Sequence, residues 1–172
     1  MRLTFGPMSE EVVRLVAVWT YEPPYDIYNL ASAPIDELVS GLTDPANGYY
    51  AIADETGDII AFCCFGPDAR VPGGDYAAPA IDIGIGLRPD LTGQGLGPGV
   101  IGAALDFAEA VLGGHAFRVT IAAFNRRSIR AFEKLGFDEK SRFVGGSGPQ
   151  QREWVILRND DGEAMRPRQV AW

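Results

Sequence analysis

Apolar residues in this chain recur sometimes every third or fourth position and sometimes every second, and the switches between the two spacings lay out helices and strands. Near the start, Val12, Leu15, Val16 and Trp19 keep a helical interval, which predicts a helix over 10–19. Ser9 precedes it as an N-cap, and Glu10 and Glu11 place negative charge at its positive end. A short edge strand is expected over 3–5 and a second helix over 34–42. Between the two helices, Pro23, Pro24 and the tyrosines Tyr21, Tyr25 and Tyr28 describe an ordered aromatic loop. Strands are expected over 49–53 and 59–65, joined through Asp54-Glu55-Thr56-Gly57-Asp58, whose glycine suits a hairpin. A third central strand over 81–87 stops before Pro89. A helix over 98–112 follows with Ile101, Leu105, Ala108 and Leu112 on one stripe. A strand over 117–122, a helix over 126–135 and strands over 137–144 and 153–158 complete the set. The order βααβββαβαββ implies an α/β (α+β) mixed sheet with helices on both faces. It fits one domain over 1–158 and a polar tail over 159–172.

The strand over 81–87 alternates strictly. Ile81, Ile83, Ile85 and Leu87 make an aliphatic core face, and Asp82, Gly84 and Gly86 make a nearly bare one. The bare face is expected to border a ligand channel. Beyond it the chain enters a helix through Thr92-Gly93-Gln94-Gly95-Leu96-Gly97-Pro98. Glycines at alternate positions remove the Cβ atoms that would hold a ligand off the backbone. Successive amides can then converge on an anion at the positive end of the next helix. Pro98 suits the first helical turn. Gly97, Gly99 and Gly102 also spell G-x-G-x-x-G, but that dinucleotide motif should start where a strand ends and have an acidic residue on the next strand. Neither condition holds here.

Two segments resemble the cofactor motifs of the GNAT superfamily of N-acetyltransferases. The pattern [QR]-x-x-G-x-[GA] falls on Thr92, Gly95 and Gly97, and N-x-x-[AS]-x-x-x-[YF]-x-x-x-G-F falls on Asn125, Ser128, Phe132, Gly136 and Phe137. The element order is similar to that fold over about residues 3–158. The resemblance implies acetyl-CoA as acyl donor, held by Leu87, Thr92, Gly93, Gln94, Gly95, Leu96, Gly97, Asn125, Ser128 and Phe132. It implies a strand at 81–87 that splays from its parallel neighbour, and an acceptor pocket near Trp19, Tyr21, Glu22, Tyr25, Asp26 and Tyr28. Aromatic rings with carboxylates suit a cation, although the same rings also suit plain packing. Asp82 is the expected proton acceptor for the amine, and Ser128 a candidate catalytic hydroxyl. Phe132 departs from the tyrosine that many relatives use to protonate the departing thiolate; Ser128, a water or a tyrosine of the aromatic loop are the substitutes. Asn125 and Gly136 also read simply as an N-cap and a C-cap.

Composition narrows the partners. The 172 residues carry a net charge of −8, which disfavours nucleic acid and mildly favours a cationic substrate. No apolar run approaches the roughly 20 residues of a membrane helix, and the first residues lack a secretory layout; cytoplasm is the expected compartment. Cys63 and Cys64 are adjacent and His115 is the single histidine, so neither a disulfide nor a metal site is expected, and His115 reads as a surface residue. The acceptor is expected to be a small-molecule or peptide amine, and a homodimer would suit this kind of fold. The alternative from a different class is a CoA-binding module that does no chemistry.

Overall fold

The computed structural model describes residues 2–114, 116–146, 148 and 151–159; the expectations for His115 and for the tail beyond Asn159 lie outside them. Seven strands and four helices follow one another as β1 (Thr4–Pro7), α1 (Glu10–Ala17), α2 (Ile35–Thr43), β2 (Tyr49–Ala53), β3 (Ile59–Phe65), β4 (Ile81–Leu87), α3 (Gly97–Leu112), β5 (Phe117–Ala122), α4 (Arg126–Glu133), β6 (Asp138–Gly145) and β7 (Arg152–Asn159). This is the expected order. The strands form one sheet in the order β1-β2-β3-β4-β5-β7-β6. Every neighbouring pair is antiparallel except β4 and β5.

Local chemistry explains the helix ends. The Ser9 side chain accepts from the Val12 N–H at 3.2 Å and starts α1. Asn125 does the same for α4 by accepting from Ser128 N–H at 3.2 Å. Gly136, at φ +84°, turns the chain out after α4, a left-handed conformation that costs an L-residue about 1–2 kcal/mol.

Two apolar layers sandwich the sheet. Ile52, Ile83, Val119, Val155 and Leu157 from the strands meet Val100, Ile101, Ala104 and Leu105 of α3 and Ile129 of α4. On the other side Ala51 packs with Val13 and Val16 of α1 and with Leu38 and Leu42 of α2. The buried stripes differ slightly from the sequence reading. On α1, Val13, Val16 and Ala17 are buried and Leu15 faces out; on α3, Leu112 is exposed. A short helix laid on a sheet has few positions to bury, and Leu15, about 200° around the helix from Val13, falls on the outer side.

One irregularity creates the site. The parallel pair β4 and β5 is in register at Ile81↔Phe117 and Asp82↔Arg118 and nowhere further along. From Ile83 to Leu87 the edge of β4 facing β5 has no ladder partner, which leaves a wedge open toward the C-terminal end of β4. Such a gap exposes backbone donors and acceptors that a ligand must satisfy.

Candidate active site

The wedge ends at Leu87, where the chain crosses into the glycine loop. The Leu87 carbonyl accepts a hydrogen bond from the Tyr21 hydroxyl at 2.8 Å. Tyr21 comes from the loop after α1, and its own N–H donates to the Asn29 side chain at 2.8 Å. Burial pushes the Tyr21 phenol up to about 12, because removing water penalises the phenolate. The hydroxyl therefore keeps its proton at neutral pH.

The glycine loop has the geometry of an anion cradle. Gly93 and Gly95 take φ +78° and +80°, which turns successive N–H groups the same way. A Cβ built on Gly95 meets nothing within 4 Å, so this stretch borders open space. α3 begins with Leu96 at its cap and no side chain closing the end. The first hydrogen bond into the helix runs from the Val100 N–H to the Leu96 carbonyl at 3.1 Å. Among the described residues the amides of Gly93, Gln94, Gly95, Leu96 and Gly97 find no acceptor. Those donors, with the positive helix end, suit a diphosphate. The side chains of Thr92 and Gln94 turn inward to brace the loop: Thr92 Oγ1 donates to the Pro89 carbonyl at 2.8 Å and Gln94 Nε2 to that of Asp90 at 2.6 Å. The cradle is thus backbone, and the departure at Thr92 leaves its amides in place.

The aromatic loop reaches across to α4. Asn125, besides capping its helix, donates through Nδ2 to the Tyr28 hydroxyl at 3.2 Å. Tyr25 sets its ring edge-on to Phe124 at 5.7 Å. On Tyr25 lies the Arg127 guanidinium, 4.0 Å from the ring centre. Tyr21 and Tyr28 therefore tie the loop to the end of β4 on one side and to the start of α4 on the other. Ser128 is half-buried at the start of α4. Glu22 and Asp26 are exposed on the loop.

Other predicted site residues are placed elsewhere. Trp19 is buried in the α1–α2 layer, its ring 6.0 Å from Phe62. Phe132, 2 % exposed, packs edge-on to Phe137 at 5.0 Å within the α3–α4 layer; its ring belongs to the core. The bare face of β4 is no channel. A Cβ on Gly84 would lie 3.0 Å from Cys64 Sγ, and one on Gly86 would collide with the Phe62 ring. Cross-strand neighbours on β3 lean over glycines that have no side chain to keep them away.

Asp82 requires the largest correction. Its oxygens receive Arg118 Nε at 2.6 Å, Arg118 Nη2 at 2.8 Å and Arg70 Nε at 2.7 Å. Asp82 and Arg118 are 2 % and 1 % exposed. Both oxygens of this carboxylate are taken up by guanidinium donors, and it sits where β4 and β5 still pair, below the open wedge. Arg118 Nη1 also donates to the Ala78 carbonyl at 2.8 Å, and the Tyr76 ring lies under its guanidinium at 4.8 Å. The aspartate fastens the closed end of the wedge and the 66–80 loop. Nothing in the local sequence marks Arg118, which alternates with apolar residues along β5 as Thr120 does. Its place opposite Asp82 depends on a parallel register that no local pattern encodes.

Among the described residues no cluster of three His, Cys, Asp or Glu side chains could hold a metal, and no helix is long and apolar enough to cross a membrane.

A splayed parallel pair beside an uncapped, glycine-led helix is the arrangement that the resemblance of the two sequence motifs implies, and the comparisons agree with that resemblance. The model of the acetyltransferase (GNAT) family matches residues 11–137, so the chain belongs to that family, whose members are acyl-CoA-dependent N-acetyltransferases. Among solved structures, a chimera of spermidine N-acetyltransferase from Vibrio cholerae and hSSAT aligns with TM-score 0.73 at 18 % identity over 92 % of this chain and 95 % of that one. The Vibrio cholerae spermidine N-acetyltransferase in complex with CoA and spermine aligns with TM-score 0.66 at 17 % identity, covering 91 % and 94 %. Identity this low speaks for the fold alone. No curated protein matches the sequence.

Proposed function

We propose that this protein transfers the acetyl group of acetyl-CoA to the primary amine of a small cationic acceptor. The observation that carries the reading is the open edge of β4 leading into a loop of unpartnered amides, with a protonated tyrosine at their junction. The amides of 93–97 would hold the diphosphate, and the free edge of β4 would pair with the pantetheine amides. The amine attacks the thioester carbon directly, the C–S bond breaks, and the proton lost by nitrogen ends on sulfur as the CoA thiol. Positioning both reactants in one cleft supplies much of the rate.

Tyr21 is the hydroxyl best placed for the proton step. A phenol near pKa 12 is a weaker acid than a thiol near 8.5, so it would not give up its proton unaided. It can pass one to sulfur as it receives the ammonium proton, which leaves no phenolate behind. Ser128 is the alternative carrier from α4. Glu22 and Asp26, exposed on the aromatic loop, would attract the cation, which fits a protein of net charge −8; the cytoplasm, where acetyl-CoA and free amines meet, is the compartment this reading implies. Phe132, with no hydroxyl to offer, favours a second reading in which the protein binds CoA without chemistry.

Calorimetric titration with acetyl-CoA, with NADH and ATP as controls, tests the donor site. Thiol release on a panel of polyamines, aminoglycosides and peptide amines tests the reaction. Micromolar binding of acetyl-CoA alone, with turnover on a cationic amine, supports the proposal. Binding without turnover on any amine leaves the second reading, and absence of binding defeats both.

A further inference from the structure

The backbone cradle is neutral, while a diphosphate carries about two negative charges, and one cation stands beside the cradle with no assigned part. A Cβ built on Gly93 would lie 3.7 Å from Arg127 Nη1. The helix geometry explains the proximity. A Cβ on Gly97 would be 3.5 Å from Ala131, so α3 and α4 touch there. One turn earlier on α4 is Arg127, and one turn earlier on the other chain segment is Gly93. Among the described residues no carboxylate pairs with Arg127; its guanidinium lies flat on Tyr25 at 4.0 Å. Stacking fixes the plane of a guanidinium without using its N–H donors. Neither α3 nor α4 has an acidic residue in its first turn.

We infer that Arg127 is the cationic wall of the donor site and binds the diphosphate of CoA, and that Tyr25, by carrying it, makes the acceptor loop part of the donor site. The inference rests on the donor-site reading above. Its consequence is directional: a substitution on the acceptor loop should weaken the donor even in the absence of an amine.

The test is calorimetry on the intact protein with three probes: CoA, dephospho-CoA and pantetheine. Arg127→Met should weaken CoA and dephospho-CoA alike by tenfold or more, the worth of a charge-assisted hydrogen bond to phosphate being about that, and leave pantetheine unchanged. Tyr25→Leu should weaken the same two probes by roughly threefold or more, and Arg127→Lys should recover only part of the loss, since a lysine keeps the charge without the planar fork. Arg127 is exposed, and an unchanged melting temperature in Arg127→Met verifies the fold. Equal CoA affinity in wild type and Arg127→Met overturns the inference while the donor site stands. A loss confined to CoA and absent with dephospho-CoA overturns the diphosphate assignment in favour of the 3′-phosphate. A Tyr25→Leu protein with wild-type affinity overturns the role of the loop. Failure of the wild type to bind CoA removes the donor-site reading itself.

Discussion

Replacing Asp82 by asparagine separates a structural aspartate from a proton acceptor more sharply than any other single change. The carboxylate is 2 % exposed and holds Arg118, itself 1 % exposed, through two hydrogen bonds of 2.6 and 2.8 Å. Asparagine removes the charge and points an NH₂ at one of the guanidinium donors. That leaves Arg118 buried with its charge uncompensated, a change that typically costs about 3–5 kcal/mol. For a protein of this size each kcal/mol is worth about 2–4 °C, so the melting temperature should fall by roughly 6–20 °C. Arg70 is 39 % exposed in its side chain and can turn to water, so it adds little. Thermal and urea unfolding followed by circular dichroism give the stability, and thiol release well below the melting point gives the turnover. Turnover should stay within about threefold of wild type, because a general base is worth roughly 10²–10⁴-fold and Asp82 is not acting as one. Removing both charges in Asp82→Leu with Arg118→Met should recover much of the lost stability, since apolar substitutes for a buried pair are often neutral or better. A folded Asp82→Asn protein that loses 100-fold in turnover while keeping its stability would refute this reasoning and restore the aspartate to the chemistry.

Three further outcomes follow from the site. Tyr21→Phe removes the hydroxyl from the Leu87 carbonyl and should lower kcat by roughly 10²-fold with donor KM changed less than about threefold; a change in KM alone would make Tyr21 a binding residue only. Gly95→Glu fits the open space but sets a carboxylate against the diphosphate, so the fold should persist, with about 1–2 kcal/mol of left-handed strain, while CoA affinity falls by roughly 100-fold or more, as read by calorimetry. Burial pushes Tyr21 up to about 12 and also raises Tyr28 and Tyr49. The fold favours their neutral forms, so the stability Tyr21 contributes is complete below pH 10 and is lost as pH rises through 12, and that from Tyr28 and Tyr49 is likewise lost toward alkaline pH. Absorbance at 295 nm should show these tyrosines ionising only together with loss of the far-ultraviolet circular dichroism, and full ionisation of a still-folded protein near pH 10 would contradict their burial.

The order of elements was legible from the chain because it rests on local rules. Ser9 and Asn125 cap helices through their immediate neighbours, and the 54–58 turn and Pro89 interrupt strands through their own backbone preferences. The glycine loop was legible for the same reason: φ +78° at Gly93 and +80° at Gly95 are backbone states that glycine alone adopts freely. The family motifs also lie in continuous sequence. What the sequence left undecided is everything that depends on which strand lies beside which. Asp82 looked solitary on a bare face until a parallel register set it against Arg118, 36 positions away. Gly84 and Gly86 looked like an empty channel until Cys64 and Phe62 of β3 leaned across them. Phe132 and Trp19 were candidates for the site until packing put both in the core. The bond from Tyr21 to the Leu87 carbonyl and the stacking of Arg127 on Tyr25 exist only because the loop after α1 spans from β4 to α4. Local conformation is set by a residue and its near neighbours, and the sequence by itself determines it. An ion pair or a cleft joins segments far apart in the chain, so its geometry exists only once the whole sheet has closed around it.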